Sequence, residues 1–256
     1  MSKELEHITW CLSGPLSLLP LHAAGIYIDN TPGSKLTDFA VSSYIPSLTT
    51  LSHCQQPRIL TETKLLLVAL PLESGLPESN NELLAIQNIL DSITITQLLE
   101  KEATRTNVMK GMKECSFVHF ACHGEQDSEN PTQSGLLLAG GIKLTLNDII
   151  KLKLPHARLA FLSACQTATG DRTLPEEATH LVAGMPISGY QGVIATMWSI
   201  HDETAPIVTE EFYKGLWKEN KLDVRQAAYA LHKAIDRLQR EGKPFLEWAP
   251  FIHMGV

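Results

Sequence analysis

Two apolar stretches of this chain each stop at a side chain able to do chemistry. One is Val118-His-Phe-Ala-Cys-His123-Gly124, the other Ala160-Phe-Leu-Ser-Ala-Cys165-Gln166. An imidazole ordinarily titrates near neutrality and can accept a thiol proton, and the thiolate is the attacking form of cysteine. Brought together, His123 and Cys165 would form a base–nucleophile pair suited to acyl transfer. Gly124 leaves its N–H open to a reacting carbonyl, and the Cys165 N–H falls at a strand-to-loop turn. Together these are candidate oxyanion donors. Taken singly, a Cys ending an apolar strand can be core packing, and His-Gly can be a capping turn. The joint arrangement favours chemistry: two strand ends, His before Cys, with 165 − 123 = 42 residues between them.

Such a pair needs neighbouring parallel strands, whose carboxyl ends open on a shared crevice; adjacent strands lie only about 4.8 Å apart. The pattern supplies them. Leu65–Leu70 reads as a strand buried on both faces. Asn81 is expected to cap a helix carrying Leu83, Leu84, Ile86, Ile89 and Leu90. Ile93–Ile95 reads as a strand, Thr104–Lys113 as a helix, and Ser116–Cys122 as a strand. Leu136–Leu144 is a hairpin turning at Gly140-Gly141, and Asn147–Leu152 a short helix. Leu159–Ala164 is a strand, Glu176–Ser188 a helix, and Gly192–Trp198 a strand. Two further helices carry Ala205, Val208, Phe212 and Leu216, then Val224, Ala228, Leu231, Ile235 and Leu238; Phe251–Met254 is a closing strand. Alternation from Thr63 onward predicts a largely parallel sheet covered on both faces. Residues 1–60 are poor in charge, with turn signals at 30–33, and read as a hairpin or short strands (around Trp10 and Gly25-Ile-Tyr-Ile28) joined by loops. The whole of 1–256 is expected to be one domain, without repeats.

Composition narrows the function further. With 44% hydrophobic and 19% charged residues, the 256-residue chain can bury a sizeable core. A net charge of −7 argues against nucleic acid as a partner. No apolar run reaches the ~20 residues of a membrane helix, and no secretory leader is seen. Five irregularly spaced cysteines, at 11, 54, 115, 122 and 165, suggest reduced thiols and a cytoplasmic setting. His119 and His123 share a strand face but lack a third ligand, so no metal is expected. Cys122 lies inside its strand and is the poorer nucleophile. Gly140-Gly141 lacks a nucleotide-binding context.

At these residues the chain resembles the CHAT domain family, caspase-like domains often found behind TPR repeats, and in particular its fungal branch. The resemblance rests on Gly14-Pro-Leu-Ser-Leu-Leu-Pro-Leu-His-Ala-Ala-Gly25, Phe120-Ala-Cys-His-Gly124 and Leu159-Ala-Phe-Leu-Ser-Ala-Cys-Gln-Thr-Ala-Thr-Gly170. It continues through Glu176–Met185, Gly192–Asp202 and Pro250–Gly255. The Ala164-Cys165-Gln166 step also matches part of the caspase signature Gln-Ala-Cys-[Arg/Gln/Gly]-Gly.

The resemblance implies a caspase–separase three-layer α/β/α sandwich with a mostly parallel central sheet, and a cysteine endopeptidase working through a thioester without cofactor. It matches His123 and Cys165 to the dyad, with Gly124 beside them, and implies a role in regulated proteolysis or programmed cell death. Asp202 is carried over as a candidate for the pocket of a basic P1 side chain, or as a cap of the helix after it. Glu177 matches a recurrent family acid, which either meets substrate or sits at a helix start where the dipole favours a carboxylate. Ser163 is a third substrate-binding candidate. Expected partners are a protein or peptide substrate and a TPR-containing or other regulatory protein.

The other reading is a catalytically silent signalling or adaptor module. Two departures from the family motivate it. Pro186 stands where the family has an apolar helical residue, so a kink or helix end is expected near Met185. The family's helical sequence before Trp10 and its TPR array are not in this sequence, as in an excised domain, a truncated product or a free-standing variant.

Overall fold

The computed structural model describes residues 5–28, 31, 33–56, 62–70, 75–125, 127, 129–163 and 178–256. Among them the strands are β1 (Glu6–Trp10), β2 (Ala40–Tyr44), β3 (Lys64–Ala69), β4 (Thr94–Leu99), β5 (Phe117–Ala121), β6 (Gly124–Glu125) and β7 (Gly135–Leu138). They continue with β8 (Ile142–Thr145), β9 (Leu159–Leu162), β10 (Gly192–Thr196), β11 (Trp217–Lys218), β12 (Lys221–Leu222) and β13 (Phe251–Gly255). The helices are α1 (Leu48–Cys54), α2 (Ser79–Ile89), α3 (Arg105–Glu114), α4 (Leu146–Leu152), α5 (Ala178–Ser188), α6 (Thr204–Leu216), α7 (Ala227–Arg240) and α8 (Phe245–Trp248).

Eight described strands form one sheet in the order β1-β2-β13-β10-β9-β5-β3-β4. The run β10-β9-β5-β3-β4 is parallel, and β13 joins β10 antiparallel. Helices cover both faces, so the central strands are largely apolar, with His119 on β5 and Thr196 at the end of β10 as buried polar exceptions. Side chains alternate between the layers: Leu65, Leu67, Phe117 and Phe161 enter the core under α2, α6 and α7. Leu66, Val68, Val118, Phe120, Ala160 and Leu162 enter the core under α3, α4 and α5. This is the α/β/α sandwich expected from the alternation of elements. No helix of the described residues is long and apolar enough to cross a membrane.

The N-terminal region differs from the hairpin expected there. β1 and β2 pair in parallel, Glu6 opposite Ala40, and β2 joins β13, so both extend the main sheet. Parallel neighbours cannot be joined by a tight turn, and the connection crosses from one end of the sheet to the other. Gly25 makes only an isolated bridge to Lys35 instead of starting a strand. A Cβ there would stand 2.9 Å from the Lys35 Cα.

Two helix ends also differ. Helix α2 begins at Ser79, with Asn81 inside its first turn bonding back to Glu78. Pro77, whose fixed φ suits a helix start, precedes it. Helix α5 carries Pro186 in its last turn and runs on to Ser188. There the proline withholds only the N–H that would reach the Val182 carbonyl, and the turn beyond it still closes: the Met185 carbonyl accepts from the Ser188 hydroxyl at 2.7 Å and from the Tyr190 N–H at 3.3 Å. The stop falls at Gly189, φ +130°, where a Cβ would lie 2.1 Å from the Leu154 carbonyl oxygen.

Two buried histidines make the fold acid-sensitive. His253 on β13 bonds Ser43 at 2.6 Å, Ser43 bonds His7 at 2.7 Å, and His22 bonds the Tyr44 hydroxyl at 2.7 Å. Burial pushes His22 down to about 4 and His253 down to about 3. Both values lie below the unfolded value, so the unfolded chain takes up protons first. Their contribution is complete above about pH 6.5 and is lost as pH falls through that window. Urea unfolding should therefore show roughly 4 kcal/mol less stability at pH 4.5 than at pH 7. His253→Gln should remove about half of that loss, the share of His22 remaining; an equal slope in the variant would rule out His253 as a cause.

Candidate active site

Parallel strands β3, β5, β9 and β10 send their carboxyl ends to one edge. His123 follows β5, half-buried, and its carbonyl accepts from the Leu137 N–H at 2.8 Å. That bond flanks the antiparallel pair Gly124–Leu136. In such a pair the intervening N–H points away from the partner strand, so the Gly124 N–H turns from β7. Cys122, one residue earlier, is fully buried in the opposite core layer, where it packs as an apolar group.

Strand β9 lies directly beside β5, in register from Phe117–Leu159 to Phe120–Leu162. Ser163 continues the ladder, its N–H donating to the Phe120 carbonyl at 2.8 Å. The pairing offset is 159 − 117 = 42, equal to the spacing of His123 and Cys165. Cys165 and Glu177 themselves lie outside the described residues.

Beside these strand ends, on the α2/α6 side, is a small, narrow cleft lined by Leu76, Ser79, Glu82, Ser163, Thr196, Ile200, Asp202 and Ala205. Asp202 does not cap α6, its own following helix. It accepts the Glu78 N–H at 3.2 Å and so caps the start of α2, where the dipole favours a carboxylate. Burial nevertheless raises its pKa; the Glu78 N–H opposes the rise, the Glu82 and Glu78 carboxylates add to it, and His123 pulls it down. His123 and Asp202 thus feel each other across the edge. The Thr196 hydroxyl on the cleft wall is buried without a hydrogen-bond partner among the described residues.

Sequence reasoning did not single out Glu82. It is 2% exposed, yet on α2 it belongs to the apolar face with Leu83 and Ile86. Its Oε1 accepts the Ser163 hydroxyl at 3.1 Å; Oε2 accepts the Thr209 hydroxyl at 2.8 Å and His119 Nε2 at 3.2 Å. His119 Nδ1 lies 3.4 Å from the Tyr213 hydroxyl, and its ring stacks on Phe161. The available signal was a carboxylate within an apolar helical stripe, since buried acids occur almost only when paired. His119 is therefore committed to the core, and among the described residues no three His, Cys, Asp or Glu side chains group as a metal site needs.

An eight-stranded, mostly parallel sheet between helical layers, with a His just past the end of β5 at the carboxyl edge, is a caspase-like fold. The Saccharomyces cerevisiae separase-securin complex, solved at 2.6 Å, contains a chain that shares this fold with a TM-score of 0.60 at 18% identity. A second structure of that complex at 3.0 Å gives 0.59 at 19%. Each match covers 86% of this chain and 14% of that chain. The CHAT domain model matches residues 1–256, and the chain belongs to the CHAT domain family. Comparison with curated proteins gave no match.

Proposed function

We propose that this CHAT domain is a cysteine endopeptidase in which His123 is the base and Cys165 the nucleophile. The observation that carries the reading is the 42-residue offset shared by the β5–β9 register and the His123–Cys165 spacing. The strands that lead toward the two residues are matched in register as far as Phe120 and Leu162.

The Cys165 thiol gives its proton to His123, and the sulfur adds to the substrate carbonyl while the Gly124 and Cys165 N–H groups donate to the oxyanion. The C–N bond breaks, His123 passes the proton to the departing amine, and a thioester remains. Water, deprotonated by His123, then releases the acid and restores the thiol. The acidic cleft, whose Thr196 hydroxyl has no hydrogen-bond partner among the described residues, suits a basic P1 side chain beside Asp202, with Ser163 on the wall. Glu177 is kept as a second candidate contact. A cytoplasmic site of action, a part in regulated proteolysis or programmed cell death, and control by a TPR-containing or other regulatory protein complete the proposal. The solved separase being in complex with securin is consistent with such a partner.

The test is incubation of the protein with an arginine-ending peptidyl acyloxymethyl ketone, followed by peptide mapping, beside a peptide-library digest. One adduct on Cys165 and cleavage after basic residues are expected. An unlabelled Cys165 together with an untouched library would leave the adaptor reading.

A further inference from the structure

Glu82 joins four elements through one buried carboxylate. It projects from α2, takes the Thr209 hydroxyl from α6, and bonds both strands whose ends bear the proposed dyad. On β5 its partner is His119, four residues before His123; on the β9 side it is Ser163, two residues before Cys165. Every partner donates: two hydroxyls and an imidazole N–H converge on an acceptor-only group. With Nε2 donating, His119 Nδ1 is left to accept from Tyr213, which fixes the tautomer through the core. An apolar side chain at this position would pack without desolvating a charge. A carboxylate is required only if the directions of these donors matter.

We infer that Glu82 is a positioning residue for the dyad, clamping the ends of β5 and β9 in the register at which His123 can hold the Cys165 proton. The inference rests on the peptidase reading. A glutamine at position 82 keeps the volume but replaces one acceptor oxygen by an NH2 donor, so either Ser163 or the Thr209/His119 pair must turn away. A displacement of about 1 Å between reacting groups is enough to cost about 100-fold in rate.

The experiment compares the full-length parent with Glu82→Gln, with Ser163→Ala, which deletes the β9 link alone, and with Ile86→Val, a packing change on the same helix outside the network. For each, the alkylation rate of Cys165 by iodoacetamide is followed against pH by site-resolved mass spectrometry, because Cys11 is also exposed. The kcat and KM on an arginine peptide and on a neutral-P1 peptide are measured beside the melting temperature. Glu82→Gln and Ser163→Ala should move the alkylation midpoint up toward the ordinary thiol value of about 8.5. Glu82→Gln should lower kcat about 100-fold on a neutral-P1 peptide as on the arginine peptide, whatever it does to KM in the cleft it lines. Ile86→Val should lower the melting temperature and leave the alkylation profile in place.

An active parent whose profile and kcat survive Glu82→Gln would overturn the inference alone. So would an Ile86→Val variant that shifts the profile as far as Glu82→Gln does. A parent with an ordinary thiol profile at Cys165 and no turnover would remove the peptidase reading and this inference with it.

Discussion

Cys165→Ala should lower kcat/KM for a cleavable arginine peptide by at least about 1000-fold, and His123→Ala should do nearly the same. The reason is that the two groups act as one unit. Without the sulfur there is no thioester; without the imidazole the thiol keeps its proton at neutral pH, and the leaving amine receives none. The double variant should therefore fall no further than the worse single variant, the non-additivity expected of groups that serve one step. Residual turnover well above the uncatalysed rate should persist, because the oxyanion donors and the cleft remain. Folding should be little affected, since His123 is only half-buried and ends its strand. Steady-state kinetics on the three variants, with circular dichroism to show that each folds, measures this. Full activity in Cys165→Ala would exclude the assignment.

The second large effect belongs to Asp202. Asp202→Asn should reduce kcat/KM for peptides with a basic P1 residue by about 100-fold, while peptides with a neutral P1 change little, so selectivity collapses more than activity. The carboxylate is costly to ionise where it stands, chiefly because of burial, with Glu82 and Glu78 nearby. A cation entering the cleft reverses that cost. Binding of a basic side chain therefore pulls the raised pKa of Asp202 back down. KM for such peptides should fall as pH rises through the raised titration of Asp202, and level off above it. The same shift has the opposite sign for stability: the folded chain holds this proton to higher pH than the unfolded chain, so ionising Asp202 weakens the fold as pH rises. Asp202→Asn keeps an oxygen for the Glu78 N–H and should be at least as stable as the parent at neutral pH. Equal loss on basic and neutral peptides would show that Asp202 supports the fold at the strand edge without reading the substrate.

Much of the sheet was legible because its central strands are buried on both faces. Leu65–Leu70 is a continuous apolar run and Phe117–Cys122 is broken only by His119, a pattern that fits strands covered on both faces. His123 was legible for the complementary reason, a polar group placed where the run ends. What failed was the long-range or shared. Parallel pairing of β1 with β2 joins residues 34 positions apart, 40 − 6, and no local pattern encodes it. Asp202 sits before α6 like a cap, yet its hydrogen bond goes to α2, a partner 124 positions away. Pro186 looked like a helix end near Met185, yet a proline in the last turn costs one N–H and the helix runs on to Ser188. Glu82 reads as one polar residue of an ordinary amphipathic helix until His119, Thr209 and Ser163 converge on it from three other elements. Cys165 and Glu177, outside the described residues, stand on chain position and family alone.

A crystal structure of the protein carrying an arginine-ending peptide on a trapped thiol tests the peptidase reading most directly. The bond should be to Sγ of Cys165, with a ring nitrogen of His123 within about 3–4 Å of that sulfur, the scissile carbonyl oxygen facing the Gly124 N–H, and the guanidinium beside Asp202. An adduct on another cysteine, or His123 turned away from the bound sulfur, would contradict it.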